Sequence, residues 1–163
     1  MFNIPGSRLP DFDSVWNLHP NHRETIKLFG KESEVPRWQQ AYLKQYTFSN
    51  KDHRAPKETP EVFLGLLDLM QKVVSPKLYG ILVNWYNPED YIGLHSDDEK
   101  NLLKGEPIVT MVLMEQSTGT RTFQLVPKGE GVRKDYELGH GDVLVLCGET
   151  QATHKHGLPQ RKK

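Results

Sequence analysis

A chain of 163 residues fits one compact domain, and 36% apolar with 26% charged residues excludes a disordered polyelectrolyte. Lysine plus arginine and aspartate plus glutamate both number 21, which excludes a uniformly basic coat, so a polyanion would have to be held by a local patch. A single cysteine, Cys147, excludes an internal disulfide, and the amino terminus carries no apolar run long enough for a signal peptide or membrane span. The expectation is an intracellular monomer with no membrane partner.

Residues 1–20 mix Pro5, Pro10 and Pro20 with Gly6 and show no sustained period, which predicts a loop with at most one short strand. Residues 25–28 and 42–48 are short runs rich in β-branched and aromatic residues, and predict two neighbouring strands in a hairpin-like lid. Between them, Val35-Pro36-Arg37 reads as extended chain, because proline disfavours helix at the residue before it. A helix is predicted from Thr59-Pro60-Glu61, with Thr59 as the capping residue and proline at the first helical position. Val62, Phe63, Leu66, Leu67, Met70 and Val73 then recur at helical spacing until Pro76, so one face should pack on a sheet. From there the period shortens: residues 78–86, 107–114, 121–126 and 142–147 are β-rich and parted by Gly, Pro and polar turns, the rhythm of a β-sandwich or barrel. Cys147 is expected in a buried strand and His140, in a Gly-flanked turn, in a structural role.

His95-Ser96-Asp97 follows a strand-like run, and residues two apart in extended chain project from one face, so imidazole and carboxylate can grip one ion. One further histidine would complete two His and one carboxylate on one face of a metal, with positions left open, as in non-haem Fe(II) oxygenases. His154 and His156, just beyond the last apolar strand, both qualify, since both project from the same face of an extended segment.

Asn84-Trp85-Tyr86 followed by His95-x-Asp97 resembles the N-x-Y and H-x-D pair of the AlkB family of Fe(II) and 2-oxoglutarate dependent dioxygenases, most like the members that repair alkylated duplex DNA. Residues 140–142 and His156-Gly157-Leu158-Pro159 are similar to the strand pair that delivers the family's last iron ligand, which precedes a small and an aliphatic residue; the resemblance therefore selects His156 over His154. Upstream, Leu28-Phe29-Gly30-Lys31, Val35-Pro36-Arg37 and Tyr46-Thr47-Phe48-Ser49 look like the family's nucleotide-recognition lid.

The resemblance implies a mainly β, α+β fold: a double-stranded β-helix, or jelly-roll, core over about residues 59–163 with a flanking helix and a lid over about residues 24–58, in a single domain. It implies Fe(II) held by His95, Asp97 and His156, 2-oxoglutarate bound by Asn84 and Tyr86 with Leu82, and dioxygen as oxidant. It also implies direct reversal of N-alkyl lesions in DNA, in which the alkyl carbon is hydroxylated and the product falls apart to aldehyde and restored base. Base chemistry in a duplex requires the nucleotide to leave the stack. Tyr46 and Phe48 would stack that base with His95, Asp98 and Glu99 would accept from its exocyclic amino group, Phe29 would fill the gap it leaves, and Arg37 would contact a phosphate.

On the residues alone, Tyr86 and Phe29 also read as core aromatics, Tyr46 and Phe48 as strand packing, and Asp98 and Glu99 as a solvated acidic turn. The family's 2-oxoglutarate arginine lies on a further strand, in an R-x-N-x-x-x-R motif. No such motif follows His156 here, and Arg161 stands too close to be equated with that residue, so the closing strand with its arginine is expected to be missing. Three alternatives compete: an AlkB-like demethylase of RNA or protein, a nucleic-acid-binding module without catalysis, and a Zn-binding cupin-like protein.

Overall fold

The computed structural model describes residues 1–28, 30–48, 51–53, 55–97, 102, 105–147 and 149–161, with only the backbone described for residues 28, 46–48, 51–53 and 116. In chain order the elements are β1 (Phe2–Asn3), α1 (Phe12–Trp16), β2 (Thr25–Leu28), β3 (Lys31–Glu34), β4 (Trp38–Tyr42), β5 (Tyr46–Phe48) and β6 (Lys51–His53). There follow α2 (Glu61–Val73), β7 (Ile81–Trp85), β8 (Ile92–His95), β9 (Ile108–Met111), β10 (Arg121–Pro127), β11 (Lys134–Leu138), β12 (Asp142–Leu146), α3 (Thr150–Thr153) and β13 (His154–Leu158). The chain forms two compact units, Met1–Phe12 with Tyr91–Gln160, and Asp13–Asp90 with Arg161–Lys163.

The first unit holds a three-stranded sheet ordered β1-β12-β9 and a four-stranded sheet ordered β11-β10-β13-β8, antiparallel at every pairing. Phe123 and Leu138 from the second sheet and Leu144 and Leu146 from the first meet in one buried cluster, closed by Ile108, Val112 and Tyr136. Two antiparallel sheets sharing one apolar core are the arrangement expected of the jelly roll. β12 carries much of the burial, with Val143 fully inaccessible and Leu144 beside it only 6% exposed, so both of its faces are covered.

The turn into β12 explains His140-Gly141-Asp142. Gly141 has φ +82°, and a Cβ there would lie 2.4 Å from the carbonyl oxygen of Ile4, so only glycine fits. Asn3 Nδ2 donates to His140 O and Asp142 Oδ1, the Gly139 amide donates to Asp142 Oδ2, and His140 Nδ1 accepts from the Met114 amide. Cys147 departs from expectation. It is exposed, one residue past the last rung of β12, where Leu146 pairs with Ile108, and its carbonyl instead accepts from Thr150 Oγ1.

In the second unit α2 covers residues 61–73 and buries Phe63, whose ring lies 5.0 Å from that of Tyr42 on β4 and 6.2 Å from that of Trp85 on β7. The helix thus packs on the β4–β7 pair, as its apolar spacing requires. Its start differs from expectation: Pro60 itself takes the N-cap position and no side chain caps the helix. Thr59 stands one residue too far out for its hydroxyl to serve the first-turn amides. The predicted strand over residues 42–48 is broken, with β4 ending at Tyr42 and β5 starting at Tyr46; Leu43 adopts φ 67°, which no strand can continue through. The segment expected as a lid holds the β2–β3 and β5–β6 hairpins, with Gly30 at φ 80° in the first turn. Asp90, 4% exposed, accepts two hydrogen bonds from the Arg23 guanidinium at 3.0 and 2.6 Å and one from the Asn87 amide at 2.7 Å. Arg23 in turn stacks 4.0 Å from the centre of the Trp38 ring. Among the described residues no helix is long and apolar enough to cross a membrane.

Candidate metal centre

In the four-stranded sheet β8 and β13 run antiparallel, and their register sets His156 directly opposite His95. Opposed residues on adjacent strands share a face, so two imidazoles 61 positions apart in sequence meet with ring centres 4.4 Å apart. Asp97, two residues beyond His95, completes the group: Oδ2 lies 3.2 Å from His156 Nε2 and Oδ1 lies 3.5 Å from His95 Nε2. One ligand atom from each residue falls within 4.8 Å of the others. An octahedral ion with ligands at about 2.1 Å needs neighbouring ligands about 3 Å apart, so these side chains fit a divalent ion with small adjustment. Two imidazoles and one carboxylate on one side leave the remaining positions for other ligands.

Each side chain is held from behind. His95 Nδ1 lies 2.9 Å from the carbonyl of Gly93, which can only accept, so Nδ1 carries the proton and Nε2 keeps its lone pair for a metal. The Phe123 ring stacks on His156 with centres 5.4 Å apart and planes 11° from parallel, backing an imidazole only 7% exposed. Burial pushes the Asp97 carboxyl up, but in the metal-free site hydrogen bonding to His156 and His95 in their protonated forms, with the charge of both rings, outweighs it and holds the group well below the usual carboxylate range. An ionised carboxylate is the form that binds metal. Ser96, between His95 and Asp97, donates from Oγ to the His154 carbonyl at 2.9 Å and ties the β8 end to β13.

The two candidate histidines differ in position. His156 lies in the group, whereas His154 Nδ1 is 2.8 Å from Thr153 Oγ1 outside it. Gly157 is needed beside His156: a Cβ there would lie 2.7 Å from the Ile92 carbonyl oxygen and 3.0 Å from that of Gly93, both backbone atoms. Gly157→Ala should therefore push β13 off β8, costing about 1–3 kcal/mol of stability and loosening the Gly93 carbonyl that orients His95. Thermal unfolding and Mn(II) titration check this, and an unchanged melting temperature with unchanged affinity would show that the strands absorb the methyl group freely.

Other expected site residues are placed as follows. Asn84 and Leu82 lie on β7, opposite Gln39 and Ala41 of β4, and Tyr86 follows the end of that strand, all in the second unit. Arg37, expected at a phosphate, is 4% exposed and its Nε donates to Asn84 Oδ1 at 3.2 Å. The same bond fixes the Asn84 amide with its nitrogen directed away from Arg37. Tyr46 and Phe48 both lie on β5, with their side chains outside the described residues, as are Phe29, Asp98 and Glu99 entirely.

With this geometry in hand, comparison with known proteins identifies the family. The sequence matches the 2OG-Fe(II) oxygenase superfamily over residues 14–163, and the chain belongs to that family. Within it the chain is an AlkB-type member. It is 32% identical over 151 residues to the DNA oxidative demethylase ALKBH2 of Mus musculus, a match covering 85% of this chain and 61% of the mouse protein. It is also 30% identical over 155 residues to the RNA replication protein of Grapevine virus A (isolate Is 151), covering 92% of this chain and 8% of the viral protein. The solved structure of OsALKBH1 shares the fold, with a TM-score of 0.57 at 19% identity over 93% of this chain and 78% of that one. The chain spans 52–61% of the length of the ALKBH2 relatives it matches. Family membership brings Fe(II), 2-oxoglutarate and dioxygen as the cofactor set, and the two imidazoles and ionised carboxylate described above are suited to Fe(II).

Proposed function

We propose that the protein is an Fe(II) and 2-oxoglutarate dependent dioxygenase that removes N-alkyl groups from nucleobases in DNA by oxidation. The convergence of His95, Asp97 and His156, with ligand atoms within 4.8 Å of one another, is the observation that carries this reading. In it those three residues hold the iron, which when bound supplies the oxidising chemistry. The chain's own share is to fix three ligands, keep Asp97 ionised, and hold the His95 tautomer through Gly93. Two neutral donors, Asn84 and Tyr86, beside Leu82, are assigned to 2-oxoglutarate by the N-x-Y resemblance, and Tyr46 and Phe48 to stacking on the extruded base, a contact worth about 1–3 kcal/mol per base. Support for DNA comes from the relatives named DNA oxidative demethylase.

Incubated with Fe(II), 2-oxoglutarate and air, the protein is expected to convert N1-methyladenine in a duplex oligonucleotide to adenine, read by mass spectrometry, while His95→Ala leaves it methylated. A specific observation favours a second reading, on RNA: the match to a viral RNA replication protein covers 92% of this chain. Turnover of the same base in an RNA oligonucleotide and not in DNA would replace the first reading by the second. Absence of turnover on both would remove the nucleobase assignment.

A further inference from the structure

We propose that Gln151 is a positioning residue for the metal centre, setting the orientation of Asp97 through its backbone; the proposal rests on reading His95, Asp97 and His156 as metal ligands. Gln151 lies in α3, the short turn that leads directly into β13 and His156. Its side-chain Oε1 accepts the Asp97 amide at 2.9 Å, across 54 positions of sequence. The donor here is a backbone N–H, so the acceptor must be the amide oxygen, and the orientation of the Gln151 side chain is thereby settled. Asp97 lies beyond the last paired residue of β8, where no ladder holds its backbone. Its main chain is held instead by two cross-links to the segment that carries the other histidine: Ser96 Oγ to the His154 carbonyl, and the Asp97 amide to Gln151.

Gln151 is itself fixed at the other end, since Lys128 Nζ donates to its carbonyl at 2.8 Å and the Lys128 amide donates to that of Thr153. A carboxylate on a free loop end would swing about its Cα, whereas one whose amide is pinned presents its oxygens to His156 and His95 as found. The amide nitrogen of Gln151 supports the assignment independently. It is buried and has no hydrogen-bond partner among the described residues. Burying an unpaired amide N–H opposes folding, so the residue is poorly explained by stability alone and better explained by what its oxygen does.

Three proteins test this: the parent, Gln151→Leu, which keeps the volume and loses the acceptor, and Gln151→Glu, which keeps an acceptor oxygen at the same reach. Mn(II) affinity is measured by calorimetry, with the melting temperature of each metal-free protein alongside. A positioning role predicts that Gln151→Leu raises the Mn(II) Kd about 10–100-fold while its metal-free melting temperature stays within a few degrees of the parent, and that Gln151→Glu recovers most of the affinity. Equal Mn(II) affinity in the parent and Gln151→Leu would overturn the proposal and leave the metal centre standing. Loss of affinity accompanied by a large fall in metal-free melting temperature, without recovery in Gln151→Glu, would overturn it in favour of a structural role. Failure of the parent to bind Mn(II) would overturn the metal centre itself and the proposal with it.

Discussion

Replacing Asp97 by alanine is expected to lower Mn(II) or Fe(II) affinity by at least roughly 100-fold and to reduce turnover to background, a larger effect than loss of a residue behind the ligands. The carboxylate supplies the group's only negative charge and lies between the two imidazoles, 3.2 Å from one and 3.5 Å from the other. Without it two neutral nitrogens remain, a donor set that binds a hard divalent ion weakly. Asp97→Asn should behave almost as badly, because it keeps the shape and loses the charge. Because the carboxyl is held well below its usual range, mild acid should leave it ionised in the metal-free protein. Calorimetry with Mn(II) at neutral pH checks the main effect, and retained affinity in Asp97→Ala would show that the ion sits elsewhere.

The second large effect is on stability. Asp90→Ala is expected to destabilise the protein by about 3–5 kcal/mol, because it leaves the Arg23 guanidinium against Trp38 with two hydrogen bonds unmade and only the exposed Glu34 carboxylate, 3.9 Å from its Nε, as counter-charge, and leaves the Asn87 amide without its acceptor. For a protein of this size that corresponds to a fall in melting temperature of roughly 6–20 °C. Removing both charges in Arg23→Leu/Asp90→Leu should recover much of the loss, since a buried pair replaced by apolar side chains avoids the stranded charge. A single variant that melts with the parent would show that the pair is solvated in solution.

How much of this was legible in the sequence depended on whether local pattern or distant pairing decides each element. α2 was readable because its own apolar spacing places Phe63 and Met70 on one face. β10 and β12 were readable because their apolar and β-branched residues need burial wherever they land. β11 was missed: Lys134, Asp135 and Glu137 are charged, only Tyr136 and Leu138 turn inward, and the strand exists because it pairs with β10 from Arg121 to Leu125. α3 was missed because it spans four residues and is held by hydroxyls, with Thr153 Oγ1 donating to the Glu149 carbonyl.

At the site, the H-x-D spacing was enough to nominate His95 and Asp97, and extended geometry alone left His154 and His156 equivalent. What separates them is the register of β13 against β8, a tertiary fact for which the family resemblance stood in. Gln151 and Phe123 had no signal, since neither is close in sequence to the residue it supports. The bond from Arg37 to Asn84 was invisible for a related reason, because a cation in a matched motif gives no hint of the amide it will meet.

The central claim is that one metal ion is held jointly by His95, Asp97 and His156, and an anomalous difference map from crystals grown with Mn(II) and a 2-oxoglutarate analogue tests it most directly. A single peak within bonding distance of both Nε2 atoms and an Asp97 oxygen is the predicted result. A fully loaded crystal with its peak away from these three side chains, or with His156 turned from the ion, would contradict it.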